Sequence, residues 1–212
     1  MKKNKILFIV FLLITSLVLI ACGGKSEKDN DDKDPDHIEE LTTEDLKKAL
    51  EGLKENYELE ISVLVYDELE AEVSILVDGN KSSYKEGEHI EFFYIREGQR
   101  ELTVIEKKGN TYVKSAERER KDRDYDLFNL INENWYEAKE TSFKLKEDNV
   151  ENLLKLFKFS EDIELISSTI KLDDKGNLQH FNITFEEDRD TYYLNIKVKN
   201  INNVSITIPE VR

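Results

Sequence analysis

The residue best placed for covalent chemistry is Cys22, the only cysteine in a chain of 212 residues. Its thiol ends an apolar run over residues 6–21 that only Thr15 and Ser16 interrupt, and Leu19, Ile20 and Ala21 stand immediately before it. A thiolate is a nucleophile, and the residue immediately before this one, Ala21, is small. A lone cysteine excludes an intramolecular disulfide framework and a cysteine-based metal site. The other chemistry-bearing residues are scattered. His37, His89 and His180 have no histidine or cysteine at ligand spacing. With 46 carboxylates, close pairs arise by chance, so none is marked out for acid/base work. Starting an EF-hand loop at Asp32 puts His37 where glycine is needed and Thr43 where glutamate is needed. G-x-S-x-G, P-loop and H-E-x-x-H motifs are absent. The expectation is a protein that is not an enzyme and uses no cofactor and no metal.

Lys2, Lys3 and Lys5 precede the apolar run. Spanning a bilayer takes about 20 apolar residues, so this run is short for a membrane helix. A positive flank, a short apolar core and a small residue at the end form a signal peptide. The segment Leu19-Ile20-Ala21-Cys22-Gly23 resembles the bacterial lipobox. The resemblance implies cleavage between Ala21 and Cys22 and a diacylglyceryl group on the Cys22 thiol, with palmitate-type chains holding the protein to the membrane. Two or more acyl chains hold stably where one holds weakly. The alternative is an uncleaved anchor helix.

Three domains of the chain follow: a signal peptide (1–21), an acidic tether (22–41) and one folded domain (42–212). Losing residues 1–21 removes three lysines and takes the net charge from −15 to −18. So acidic a chain is not expected to bind nucleic acid or to spread on anionic lipid. The tether has almost nothing apolar to bury, and its like charges extend it. At ~3.4 Å per residue, the 19 residues from Gly23 to Leu41 reach at most about 65 Å. The bias toward Lys, Asn, Ile and Glu points to an AT-rich genome and a one-membrane cell, and the lipobox resemblance implies a protein on the extracytoplasmic face of the cell membrane.

Within 42–212 the periodicity alternates between helix and strand. Thr42 and Thr43 cap a helix whose Leu46, Ala49, Leu50 and Leu53 share one face. Period-two alternation then predicts strands near 57–65, 71–77, 90–96, 102–106 and 111–114. Asp78-Gly79-Asn80 and Lys108-Gly109-Asn110 are turn signals. Arg118 to Arg123 mixes both charge signs and reads as a solvated loop or helix start. A short helix is expected over 127–135, a strand over 141–146, and a helix with Val150, Leu153, Leu154 and Phe157 on one face, capped by Asp148 with Glu151 three later. Four strands close the chain, over 163–172, 178–186, 192–199 and 201–208. His180 is expected to face water.

The aromatic residues are the remaining candidates for a site. Phe92, Phe93 and Tyr94 are consecutive on one strand, so both faces carry rings there. Phe93 is expected under a helix, in a ligand cavity or at an interaction site, and Trp135 and Tyr136 could line a cavity mouth. Ordinary core packing is the other reading of all three.

This layout behind a lipobox resembles the lipoprotein-carrier fold of LolA/LolB-like and LppX/LprG-like proteins. The closing segments around Lys171-Leu172-Asp173-Asp174-Lys175-Gly176-Asn177-Leu178 and Val204-Ser205-Ile206-Thr207-Ile208-Pro209 carry most of the likeness. The resemblance implies an α+β domain in which a curved antiparallel half-barrel of about 9–11 strands takes about three helices on its concave side. It also implies apolar space for acyl chains between the layers. A tethered module for a hydrophobic ligand, a lipid or lipid-linked glycan, is therefore expected. The alternative is a regulatory or structural envelope lipoprotein whose acidic face docks a basic protein partner, as in RseB-like regulators.

Overall fold

The computed structural model describes residues 41–211 except 54, 98–100, 120–126 and 161. Cys22, Ala21, His37 and most of the tether lie outside these residues, as does part of the mixed-charge stretch 118–123.

Six strands, β1 (Asn56–Val65), β2 (Glu68–Asp78), β3 (Lys81–Glu86), β4 (Ile90–Glu97), β5 (Glu101–Lys108) and β6 (Thr111–Glu119), run up and down in chain order. Five more do the same: β7 (Tyr136–Lys139), β8 (Ser142–Leu145), β9 (Glu164–Leu172), β10 (Leu178–Glu187) and β11 (Asp190–Lys199). The two meanders fuse where β1 pairs antiparallel with β11, with Ile61 opposite Ile196. The result is one curved, open, antiparallel sheet of 11 strands in the order β6-β5-β4-β3-β2-β1-β11-β10-β9-β8-β7. Its two edges, β6 and β7, are consecutive in the chain, so the stretch between them links opposite ends of the sheet. Gly79 and Gly109 hold positive φ in the β2–β3 and β5–β6 hairpins, as the Asp-Gly-Asn and Lys-Gly-Asn signals require.

Alternation decides what each strand buries. Tyr57, Leu59, Ile61 and Val63 of β1 sit in the main core beside Leu194, Ile196 and Val198 of β11 and Phe181, Ile183 and Phe185 of β10. Each such side chain contributes about 1.5–3 kcal/mol on burial. The N-terminal helix, Thr43–Glu51, opens with the expected cap in the form of a capping box. The Asp45 N–H donates to Thr42 Oγ1 at 3.3 Å, and the Thr42 N–H donates to Asp45 Oδ2 at 2.9 Å. Leu46, Ala49 and Leu50 then face the sheet, followed by Leu53 just beyond the helix.

Four expectations need correction. The helices are two, Thr43–Glu51 and Val150–Leu156, with a single turn at Leu127–Leu130 in place of a third. Asn132 ends that turn, because its side chain accepts the Asn134 N–H at 2.9 Å and starts a 3-10 turn, Glu133–Trp135. Asp148 does not cap the second helix: it lies inside another 3-10 turn, Glu147–Asn149. Strands β3 and β7 carry no regular apolar alternation, and their neighbours in the sheet impose them.

The fourth correction matters most. Residues 201–208 form no strand. They run as an extended strap across the sheet face opposite the helices. Val204, Ile206 and Ile208 pack there on Leu76, Phe93, Ile95, Ile105 and Tyr112, a second and smaller core. The strap's alternation is real, but side chains meet its backbone donors. The Val204 N–H donates to Asn56 Oδ1 at 2.7 Å, and the Ile206 N–H to Asp78 Oδ2 at 3.0 Å. Positive φ at Asn200 and Asn202 turns the chain out of β11 and onto that face.

Candidate functional site

The sheet has a helix face and a strap face. On the helix face, aromatic rings join the layers. Phe128 of the helical turn meets Phe181 with centroids 6.3 Å apart, and Phe157 meets Phe181 at 5.8 Å. Phe159 stacks on Phe157 at 5.5 Å and meets Phe185 at 4.9 Å, and Phe185 stacks on Tyr192 at 5.1 Å. Tyr136 is buried beneath them, with its hydroxyl 3.0 Å from Ser168 Oγ. Burial pushes that phenol well above the usual tyrosine range, so it stays protonated. Trp135, next to it, is half-buried against the same core.

The N-terminal helix packs on β7, β10, the helical turn and the first 3-10 turn. The helix face continues past these elements onto β3, β4 and β5. There Tyr84, Phe92 and Tyr94 form a ladder with centroids 6.1 and 6.2 Å apart, over Leu102 and Val104. Phe92 and Tyr94 are half-buried, so rings stand at the surface as a continuation of the core. The Tyr84 hydroxyl donates to Glu86 Oε2 at 2.5 Å. Burial first, and then the Glu86 carboxylate, push this phenol far above its ordinary range. The ladder therefore offers apolar surface with one carboxylate at its rim.

The three aromatic residues singled out in the sequence do not share one site. Trp135 and Tyr136 belong to the main core, whereas Phe93 is buried on the strap face against Ile105 and Ile206. Tyr112 meets Phe93 edge-on at 5.8 Å and donates to Glu91 Oε2 at 2.8 Å. Phe92 and Tyr94, the neighbours of Phe93, carry the open apolar surface instead. Sequence spacing predicted a ring on each face, but which face would be covered depended on the strap.

Among the described residues, no group of three or more His, Cys, Asp or Glu side chains could hold a metal ion. No helix among them is long and apolar enough to cross a membrane. No protein-family model matches the chain, and no curated protein matches its sequence.

Proposed function

We propose that the chain is a lipid-anchored, extracytoplasmic binding module for a hydrophobic ligand, tied to the cell membrane through acylated Cys22. The ligand class is an acyl chain, borne by a lipid or a lipid-linked glycan. The Tyr84–Phe92–Tyr94 ladder carries this reading, because it extends the core's apolar surface beyond the elements on which the N-terminal helix packs. An open curved sheet of 11 strands is compatible with the half-barrel of lipoprotein carriers, whose helices lie on the concave side. Contact with Phe92 and Tyr94 takes an acyl chain out of water at about 25 cal/mol per Å2 of apolar surface. The test is mass spectrometry of an organic extract from the full chain, purified from its membrane and then denatured. A co-purifying acyl lipid that is lost from a Phe92→Asp, Tyr94→Asp variant supports the reading. An extract without lipid, or one the variant leaves unchanged, overturns it.

A second reading has its own support. On the strap face Leu64 stands in register with Leu69 on one side and Tyr193 on the other. Leu69 is 59% exposed and Tyr193 36%, with the exposed Glu72 on the same face of β2. An apolar row beside an acidic side chain suits a basic protein partner, steered by charge. Crosslinking on intact cells at several salt concentrations tests this: a partner whose yield falls with salt supports it, and no partner at any salt removes it.

A further inference from the structure

The strap face carries a feature that runs against the protein's overall charge. Lys171 of β9, His180 of β10 and Lys197 of β11 stand side by side in register across three strands. Neighbouring strands are about 4.8 Å apart, so the row spans about 10 Å. Both lysines are exposed and His180 is half-buried. Like charges set opposite each other on a sheet are destabilising.

Among the described residues, no carboxylate forms an ion pair with Lys171 or Lys197. Glu60 lies opposite Lys197 in register, but its carboxylate is bound by Lys199 instead. Asp173, just past the end of β9, accepts the backbone N–H groups of Lys175 and Asn177 at 2.9 and 2.8 Å. Among the described residues, neither Lys171 nor Lys197 has a salt-bridge partner.

The adjacent row supplies neutral donors. Thr169, Asn182 and Asn195 are in register on the same face, with exposed Lys144 opposite Thr169. Their side chains have no hydrogen-bond partner among the described residues. Cations flanked by hydroxyl and amide donors are the side chains that bind phosphate oxygens. Screening confines the repulsion of the net charge to about 8 Å at physiological salt, so the row sets the local field.

We propose that Lys171, His180 and Lys197, with the Thr169–Asn182–Asn195 row beside them, form a binding site for a phosphate group. The site lies on the face opposite the Tyr84–Phe92–Tyr94 ladder and does not depend on a hydrophobic ligand being bound there. The phosphate belongs either to a free small anion or to a lipid headgroup at the membrane surface that the tether keeps within reach.

His180 is the reporter. In the unbound protein, burial and then Lys197 and Lys171 hold its pKa below the ordinary histidine value. The experiment follows the imidazole resonances of the full mature chain through pH 5 to 8. Pyrophosphate is added in one arm and phosphatidylglycerol vesicles in another, each against chloride at equal ionic strength. The expected result is an upward shift of the His180 titration with an unchanged His89. A response to pyrophosphate assigns a free anion, and a response to vesicles alone assigns a headgroup. The Lys171→Gln, Lys197→Gln variant should lose the response, while its baseline His180 titration moves up because two positive charges are gone. Because unfolding would also raise the His180 titration, unchanged dispersion of the backbone amide resonances is the check that the variant keeps the fold. No shift in either arm, or a response that survives in the variant, overturns the proposal.

Discussion

Asn56 and Val204 lie 148 residues apart in the chain and exchange two hydrogen bonds: the Val204 N–H donates to Asn56 Oδ1 at 2.7 Å, and Asn56 Nδ2 donates to the Val204 carbonyl at 2.8 Å. An asparagine side chain here does what a neighbouring strand would do. It fastens the strap to the first strand without extending the sheet. The same amide also reaches Asp78 Oδ1 at 3.1 Å, so one residue joins β1, β2 and the strap.

Asn56→Ala removes all three bonds and leaves a half-buried backbone N–H without its acceptor. The expected loss is about 2–3 kcal/mol, at roughly 1 kcal/mol per bond. Urea denaturation of the variant checks this. Hydrogen exchange should show protection lost first at Val204 and Ile206, and an unchanged rate at those amides would refute the strap's attachment.

Tyr136 and Ser168 form a buried hydroxyl pair. Removing one partner strands the other, whereas removing both is nearly neutral. Tyr136→Phe and Ser168→Ala should each cost about 1–2 kcal/mol. The double variant should lose less than the sum of the two. Thermal unfolding of the four proteins closes the cycle.

Asp173 ties the β9–β10 turn by accepting from Asn177 and Lys175. Burial alone would raise its pKa, but the hydrogen bonds from Asn177 and Lys175 outweigh it and hold the carboxyl below its ordinary value. The folded state therefore binds this proton less readily than the unfolded chain. The contribution is fully present above the unfolded value, about 3.9, and is lost as pH falls through the lower folded value. The stability gap between the natural chain and Asp173→Ala should be constant from pH 5 to 7 and shrink below pH 4, as measured by urea midpoints.

Cys22→Ser takes away the thiol on which the proposed membrane tie depends. Cells making the full chain should then incorporate no labelled palmitate into it, and the protein should keep residues 1–21. Labelling of the variant equal to that of the natural chain would place the acyl groups elsewhere.

Much of the sheet was legible along the chain. Residues 57–65 and 178–199 announce themselves because each strand has one buried face, and the side-chain period is two. Strands β3 and β7 were not legible. Lys-Ser-Ser-Tyr-Lys-Glu buries two serines and one tyrosine, and Tyr-Glu-Ala-Lys buries only Tyr136. Both are held by ladder bonds to their neighbours, which no local pattern reports. The strap misled in the opposite direction, since its alternation is genuine and its donors are met by Asn56 and Asp78. Of the candidate site residues, Trp135 and Tyr136 fell on the core side. The open rings of Phe92 and Tyr94 could be separated from buried Phe93 only once the strap's position was known.

The sequence by itself determined an apolar stretch over residues 6–21 behind three lysines, an acidic segment after Cys22 and a β-rich body most of whose strands have a buried side. These are properties of consecutive residues, carried by charge, hydropathy and periodicity. Only the tertiary structure decided that β1 and β11 join the two meanders, that 201–208 becomes a strap, and that Lys171, His180 and Lys197 fall into one row. Those outcomes depend on register between segments distant along the chain. Register is set where opposing apolar faces such as Ile61 and Ile196 meet, and a slip of one residue would turn every side chain of a strand to the other face.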